Sequence, residues 1–155
     1  MTDIWFYHLQ RRPLERVLPG LLEKSLQRGW RAVVQATSAE RLEALDEALW
    51  TYADDSFLAH GAARDGDAAS QPVFLTLGVE NPNGAKLRVL VEGADVAGAL
   101  DAAGAEAYER MILVFDGDDE TELAGARAQW KKLKEQVRPT TYWRQNDDGR
   151  WEKIA

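Results

Sequence analysis

Two histidines and one run of acids are the residues of this sequence whose types could support chemistry. His8 and His60 lie far apart, and neither has a serine and an acid arranged around it as a nucleophile–base pair requires. The acids stand at 116–120 (Asp-Gly-Asp-Asp-Glu), a composition that Mg²⁺ or Ca²⁺ can use. Their spacing departs from a calcium loop and fits a strand-to-helix turn with acids at the helix N-terminus. We favour the helix start, and a small nucleotide- or metal-binding enzyme is the alternative.

Cysteine and glycine usage excludes further chemistries. The chain has no cysteine, which excludes disulfides, thiolate catalysis and cysteine-ligated zinc. Its glycines form neither G-x-G-x-x-G after the first strand nor G-x-x-x-x-G-K-[ST], so no phosphate-binding loop is recognisable. The sequence therefore predicts no cofactor, no metal and no catalytic residue.

Length and charge limit the class of protein. The 155 residues suit one domain spanning 1–155, and no apolar run approaches the roughly 18 residues of a membrane-spanning helix. The first residues show no secretory signal pattern, so we expect a cytoplasmic protein. The net charge of −7 gives no global attraction to nucleic acid. Any contact with DNA must come through other proteins or one local basic patch.

Alternating apolar patterns predict an α/β fold. Short β-branched and aromatic runs indicate strands, and apolar residues at helical spacing indicate the helices between them. The predicted strands are 4–9, 31–36, 72–77, 86–92, 111–115 and 140–143, followed by a polar tail, and the predicted helices are 14–26, 37–50, 94–107 and 119–137. Strands and helices that alternate at these lengths imply a parallel sheet with right-handed crossovers.

Local signals refine the helix boundaries. Gly29 stands where a glycine often ends a helix, and Pro19 either kinks the first helix or makes it restart. The segment 37–40 (Thr-Ser-Ala-Glu) predicts a capping box in which Thr37 caps the second helix and Glu40 reaches back.

The stretch 41–61 combines an amphipathic helix with aromatic residues around an acidic turn. The helix ends in Trp50, and Tyr52 and Phe57 bracket 54–56 (Asp-Asp-Ser). In one interpretation Trp50 covers the end of the core. In the other, these aromatics anchor a protein partner, since interface anchors are typically large rings beside polar groups.

The helix at 119–137 has two neighbouring stripes. At about 100° per residue, one stripe is apolar and the other basic. The apolar stripe is Leu123, Ala126, Trp130, Leu133 and Val137, and the basic stripe is Arg127, Lys131, Lys134 and Arg138. The basic stripe is either a solvated face or a site for a short acidic peptide with a hydrophobic end. In the second case Arg127 meets carboxylates, Trp130 walls an apolar pocket, and Tyr142 and Arg144 extend the site.

Short motifs follow one family's order over essentially the whole chain. They are 45–50 (Leu-Asp-Glu-Ala-Leu-Trp), 56–60 (Ser-Phe-x-x-His), 82–85 (Pro-Asn-Gly-Ala), 115–117 (Phe-Asp-Gly), 126–131 (Ala-Arg-x-x-Trp-Lys), 141–143 (Thr-Tyr-Trp) and 149–151 (Gly-Arg-Trp). Each motif alone is weak, but together they make the sequence resemble the chi subunits of bacterial DNA polymerase III.

The resemblance implies a Rossmann-like three-layer fold and a non-catalytic accessory role in the clamp-loader assembly. Such a subunit links the psi subunit, in a heterodimer, to the acidic C-terminal tail of single-stranded-DNA-binding protein. Trp50 and Phe57 match aromatics that dock psi, and we place Tyr52 with them. Another protein docking at the same surface is the alternative partner.

For the tail, the resemblance assigns Arg127, Trp130 and Lys131, to which we add Lys134 and Tyr142. Many relatives have Gly-Leu before Thr-Tyr-Trp, where this chain has 137–140 (Val-Arg-Pro-Thr). The edge of the tail pocket therefore differs here. We expect no strong direct binding to nucleic acid and none to membranes.

Overall fold

The computed structural model describes residues 2–10, 12–51, 61–62, 66–148 and 150–155, apart from the side chain of residue 50. The strands are β1 (Asp3–Leu9), β2 (Ala32–Gln35), β3 (Gly61–Ala62), β4 (Val73–Thr76), β5 (Leu87–Val91), β6 (Arg110–Asp116), β7 (Thr140–Gln145) and β8 (Trp151–Lys153). The helices are α1 (Leu14–Gln27), α2 (Ala39–Thr51), α3 (Val96–Leu100) and α4 (Glu120–Glu135). Single 3₁₀ turns occupy Ala68–Ser70 and Ala105–Ala107.

The strands form one sheet in the order β3-β4-β2-β5-β6-β1-β7-β8. Every neighbouring pair is parallel except β7 with β8. Helices α1 and α2 pack on one face, and α3 and α4 pack on the other. The predicted α/β fold with a mostly parallel central sheet between helices is confirmed. Within the described ranges, no helix has the length and apolar character needed to cross a membrane.

Strand β1 lies inside the sheet between β6 and β7 and contributes to both layers of the core. Trp5, Tyr7 and Leu9 join the cluster beneath α1 and α2. Ile4 and Phe6 join the cluster beneath α3 and α4. This alternation is the two-residue period of a strand buried on both faces.

One charged residue lies inside a strand that the pattern marks as apolar. Arg88 on β5 is fully buried, and its guanidinium donates to Gln35 Oε1, to the Tyr108 hydroxyl and to the carbonyls of Gly78 and Glu80. Because several donors are satisfied, the buried cation is tolerated without an ion pair to any carboxylate among the described residues.

Three local predictions require correction or completion. Ser38, rather than Thr37, caps α2, because its hydroxyl accepts from the Arg41 amide at 3.2 Å while the Thr37 hydroxyl bonds the Glu92 carbonyl. Helix α1 continues through Pro19 without a restart. The predicted helix at 94–107 is short, since α3 ends at Leu100.

The polar tail contains a strand that sequence patterns missed. Strand β8 pairs antiparallel with β7, and its Trp151 lies opposite Gln145. A strand of three residues is too short to show an alternating pattern.

The end of α4 differs from the predicted helix at 119–137. Val137 lies beyond the helix with φ +57° and is 84% exposed, so it is not part of the apolar stripe. Its amide bonds the Lys134 carbonyl at 3.0 Å, and the Arg138 amide bonds the Leu133 carbonyl at 3.0 Å. This hydrogen-bond pattern is a Schellman motif, in which the left-handed residue is usually glycine. A β-branched residue is strained in that conformation.

We therefore expect Val137→Gly to raise the free energy of unfolding by about 1 kcal/mol, since relief of left-handed strain exceeds the entropy that glycine adds to the unfolded chain. Urea denaturation measures the change. Gly29 ends α1 at φ +80° with open space around its Cα, so Gly29→Ala is the matched variant and should destabilise. Lower stability in Val137→Gly would contradict the strain argument.

Candidate functional site

The acidic turn at 116–120 caps α4. The Asp119 carboxylate accepts hydrogen bonds from the amides of Thr121 at 2.9 Å and Glu122 at 3.0 Å. The Asp116 carboxylate accepts from the Asp118 amide at 2.9 Å. These carboxylates accept hydrogen bonds from otherwise unpaired amides and interact favourably with the positive end of the helix dipole. No group of three or more His, Cys, Asp or Glu in the described part of the chain is arranged to hold a metal ion.

Helix α4 presents its basic residues by burying the opposite side. Ala126 and Leu133 are buried in the core beneath the helix. Arg127, Lys131 and Lys134 are exposed. The buried positions are seven residues apart and the basic ones three or four apart, as two stripes of one helix require.

Trp130 lies at the border of the two stripes and takes part in both. Its ring meets Phe6 edge-on at a centroid distance of 5.2 Å and Tyr142 edge-on at 5.6 Å. Lys134 Nζ stands 4.9 Å from the centre of the same ring. The ring is half-buried, so it is fixed by aromatic contacts while part of it faces solvent.

Tyr142 connects this ring to β1. Strand β7 lies beside β1, in a register that places Tyr142 next to Phe6. The Tyr142 hydroxyl and His8 Nδ1 share a hydrogen bond of 2.7 Å. On the other side of the imidazole, a Cβ at Gly117 would lie 1.8 Å from His8 Nε2, so only glycine permits this approach.

His8 belongs to this site although the sequence pattern did not indicate it, because no serine and acid are spaced around it as a catalytic histidine requires. Burial lowers its pKa below the ordinary 6.5, and the Arg144 charge lowers it further. Asp118 raises the pKa, Arg127 lowers it and Asp116 raises it. The alternation of side chains along β1 could have indicated its position, since His8 and Phe6 are two residues apart and therefore lie on the same face of the sheet.

We expect Arg144→Ala to raise the His8 pKa and Asp118→Asn to lower it, because one variant removes a repelling charge and the other an attracting charge. An NMR titration of the imidazole measures both, with His60→Gln as background so that one of the two histidines remains. Since the pKa of His8 in the folded protein is below 6.5, neutral His8 makes its full contribution to stability above pH 6.5. That contribution declines as the pH falls from 6.5 towards the folded-state pKa. Shifts of the same sign in the two variants would contradict the assignment.

The structure brings several predicted peptide-binding residues together. Trp130, Lys134 and Tyr142 are in contact. Burial raises the pKa of Tyr142, and the charge of Arg127 opposes that rise, which places Arg127 within electrostatic reach. Lys131 is exposed on the same helix and makes no ring contact with Trp130 or Tyr142. Arg144, expected to extend the site, acts on both Tyr142 and His8.

The second predicted surface is described only in part. The backbone of Trp50 lies in the last turn of α2, but its side chain, Tyr52 and Phe57 lie outside the described residues. Beside α2 is an apolar cleft of about 300 Å³ lined by Leu42, Asp46, Ala62, Leu75 and Leu77, among others. Leu77 is 48% exposed and Val79, close after it, is 45% exposed.

A crevice of about 500 Å³ opens at the carboxyl ends of β1 and β6. In open α/β sheets, ligands typically bind in such a crevice. Here five carboxylates line it, namely Glu15, Glu92, Asp116, Asp118 and Glu122, together with Arg12 and Arg41. Arg41 is already bonded to Glu15 at 2.6 Å and to Glu92, so its charge is neutralised.

Comparison with known proteins gives similarity along the whole chain. The family model described as "DNA polymerase III chi subunit, HolC" matches residues 1–140. A similar protein from Rickettsia prowazekii (strain Madrid E), described as "Probable DNA polymerase III subunit chi", is 28% identical over 156 residues. That alignment covers 100% of this chain and 93% of the relative. The family match includes all of α4 and ends at the first residue of β7.

Proposed function

Since the chain belongs to the DNA polymerase III chi subunit family, we propose that it is a non-catalytic link within the clamp-loader assembly. It joins the psi subunit to the acidic C-terminal tail of single-stranded-DNA-binding protein. The family places the chain in DNA replication, as an accessory subunit of a polymerase holoenzyme. We further propose one domain spanning 1–155 and a cytoplasmic location.

The observation that supports the tail site is that the charge of Arg127 opposes the rise that burial causes in the pKa of Tyr142, whose ring meets that of Trp130 edge-on. The resemblance implies a tail of acidic residues that ends in a hydrophobic residue with a free carboxylate. Such a ligand needs a guanidinium that can form two hydrogen bonds with a carboxylate, next to an apolar surface. Arg127 supplies the guanidinium, and the half-buried rings of Trp130 and Tyr142 supply the apolar surface.

Charge around this point favours an acidic peptide despite the net charge of −7. Lys131 and Lys134 add positive charge on α4, and Arg144 adds it from β7. The attraction is local because charges further away than about 10 Å are screened at ordinary ionic strength.

The charge of the crevice between β1 and β6 supports a non-catalytic role over the nucleotide-binding alternative. Phosphate groups bind where amides and cations converge. This crevice has five lining carboxylates, and one of its two arginines is neutralised by two of them. A phosphate in it would meet net repulsion.

The psi surface rests on Trp50, Phe57 and Tyr52, together with the apolar cleft beside α2. Exposed Leu77 and Val79 add apolar area at the same end of the sheet as that cleft. Large apolar side chains exposed together are typical of a docking surface.

For the tail site, we expect Arg127→Ala to abolish measurable binding, because loss of a charge-assisted hydrogen-bonded pair costs about 2 kcal/mol or more. Trp130→Ala should weaken binding strongly. Lys131→Ala and Lys134→Ala should weaken it modestly and mainly at low salt, since these charges are exposed. Calorimetric titration with a tail peptide measures each affinity.

Lys132→Ala is the matched control for these variants, because Lys132 is exposed on another side of α4 and its loss changes the net charge equally. It should bind the peptide as the unmodified protein does. Unchanged affinity in Arg127→Ala would overturn the site assignment.

For the psi surface, we expect Trp50→Ala and Phe57→Ala to lose the psi partner while remaining folded. Truncating an aromatic anchor costs on the order of 2 kcal/mol or more of binding. Co-purification with psi measures the loss, and circular dichroism with peptide titration shows that the fold and the tail site survive. If both variants unfold instead, the aromatics belong to the core.

A further inference from the structure

Four of the five tryptophans whose side chains the structure describes lie on the sheet face opposite α4. Trp5, Trp30, Trp143 and Trp151 are all half-buried there, and Tyr7 is buried among them. Ring centroids are 5.5 Å apart between Trp5 and Trp143 and 4.3 Å apart between Tyr7 and Trp151. Helices α1 and α2 lie on β2, β4 and β6, so Trp5, Tyr7, Trp143 and Trp151 cover β1, β7 and β8, while Trp30 lies between α1 and β2. These five rings are here named the aromatic platform.

A hollow of about 170 Å³ opens at one end of the platform, between α1 and the sheet. Its lining includes buried Leu87 and Ile112 and half-buried Trp5 and Trp30. The charged residues that line it are Lys24, Arg28 and Arg110, and none of its described lining residues is acidic. The hollow therefore combines an apolar interior with a purely cationic rim.

The two arginines of the rim lie over rings. The Arg110 guanidinium lies 3.7 Å from the centre of the Trp5 ring and 5.5 Å from that of Trp30. Arg28 lies 5.4 Å from the centre of the Trp30 ring. Stacked guanidinium groups of this kind are pre-organised for a planar or anionic ligand.

Among the residues that the structure describes, no carboxylate lies within ion-pair distance of Lys24, Arg28 or Arg110. The ion pairs between described residues both involve Arg41, and Asp3 acts on Arg110 only from a greater distance. Burial lowers the Arg110 pKa, and repulsion from Arg28 lowers it further. An anion placed between the two guanidinium groups would relieve that repulsion.

We propose that the aromatic platform and its cationic rim bind one or two nucleotides of single-stranded nucleic acid. A base stacks on the rings at the hollow while the phosphates meet Lys24, Arg28 and Arg110. Stacking surfaces beside a cationic groove are the means by which proteins hold single strands without sequence preference. Lys153 extends the positive charge, since it pairs across from Trp143.

The extent of the rings favours nucleic acid over an acidic peptide. A peptide carboxylate would satisfy the rim, but the half-buried rings of Trp5, Trp143 and Trp151 continue from the hollow across β1, β7 and β8. One or two bases can stack on these half-buried rings, whereas an acidic peptide offers carboxylates to the rim but no flat surface to the rings. The net charge of −7 keeps the contact weak and dependent on low salt.

The test uses the full chain and a labelled oligothymidine of about ten nucleotides, a length within the span of one single-strand site. Anisotropy at low salt should show binding, and tryptophan fluorescence should be quenched as bases stack. Each phosphate contact with a single strand contributes about −0.7 to the slope of the logarithm of the association constant against the logarithm of the salt concentration. Three contacts therefore predict a slope of about −2. Arg28→Ala should reduce the magnitude of that slope by about 0.7.

Two further variants test the rings. Trp30→Leu keeps an apolar side chain but removes the stacking surface, so affinity should fall by about tenfold, and Trp30→Phe should restore most of it. Lys132→Ala, a cation away from the platform, should bind the oligonucleotide normally.

Several results would overturn the inference. The first is that the oligonucleotide neither binds nor quenches the fluorescence. The second is that Arg127→Ala loses oligonucleotide binding while Arg28→Ala keeps it. The third is that an acidic peptide displaces the oligonucleotide from the Arg127→Ala variant. Titration of each variant with the tail peptide separates the platform from the tail site. Arg28→Ala should bind the tail peptide normally whether or not it binds the oligonucleotide. The inference stands independently of the proposed function.

Discussion

The alternation of side chains along β1 is the constraint on which both surfaces of this protein depend. Phe6 and His8 face α4, and Trp5 and Tyr7 face the opposite side. Since β1 is bonded to β6 on one side and β7 on the other, a slip by one residue would exchange the two faces. The aromatic support of the candidate tail site and the aromatic platform therefore share one strand.

Charge is distributed locally, so the net charge of −7 is a poor guide to any one surface. Carboxylates gather around the crevice at the ends of β1 and β6, while α4 and the platform rim present cations. Because screening limits exposed charges to about 10 Å, these regions act separately. An acidic chain can therefore have a site for an acidic peptide.

Strong periodicity made most of the fold predictable, and weak or competing signals account for the differences. The parallel sheet and α4 followed from long patterns. The capping residue of α2 could not be separated from its neighbour, since Thr37 and Ser38 are both suitable caps. Val137 fitted the apolar stripe of α4, but the Schellman hydrogen bonds place it outside the helix. Arg88 is buried because Gln35 and Tyr108, distant in the chain, satisfy its donors.

Local patterns in the chain were sufficient for the α/β class, the two stripes of α4 and the family resemblance, because each depends on residues within one element or motif. They were not sufficient for the site. The Tyr142 hydroxyl meets His8 across 134 positions of sequence, and it does so because β7 hydrogen-bonds beside β1. Gly117 must lack a side chain for the same imidazole to fit. Strand order is a property of long-range pairing, which local periodicity does not encode, so tertiary structure alone assembled these groups.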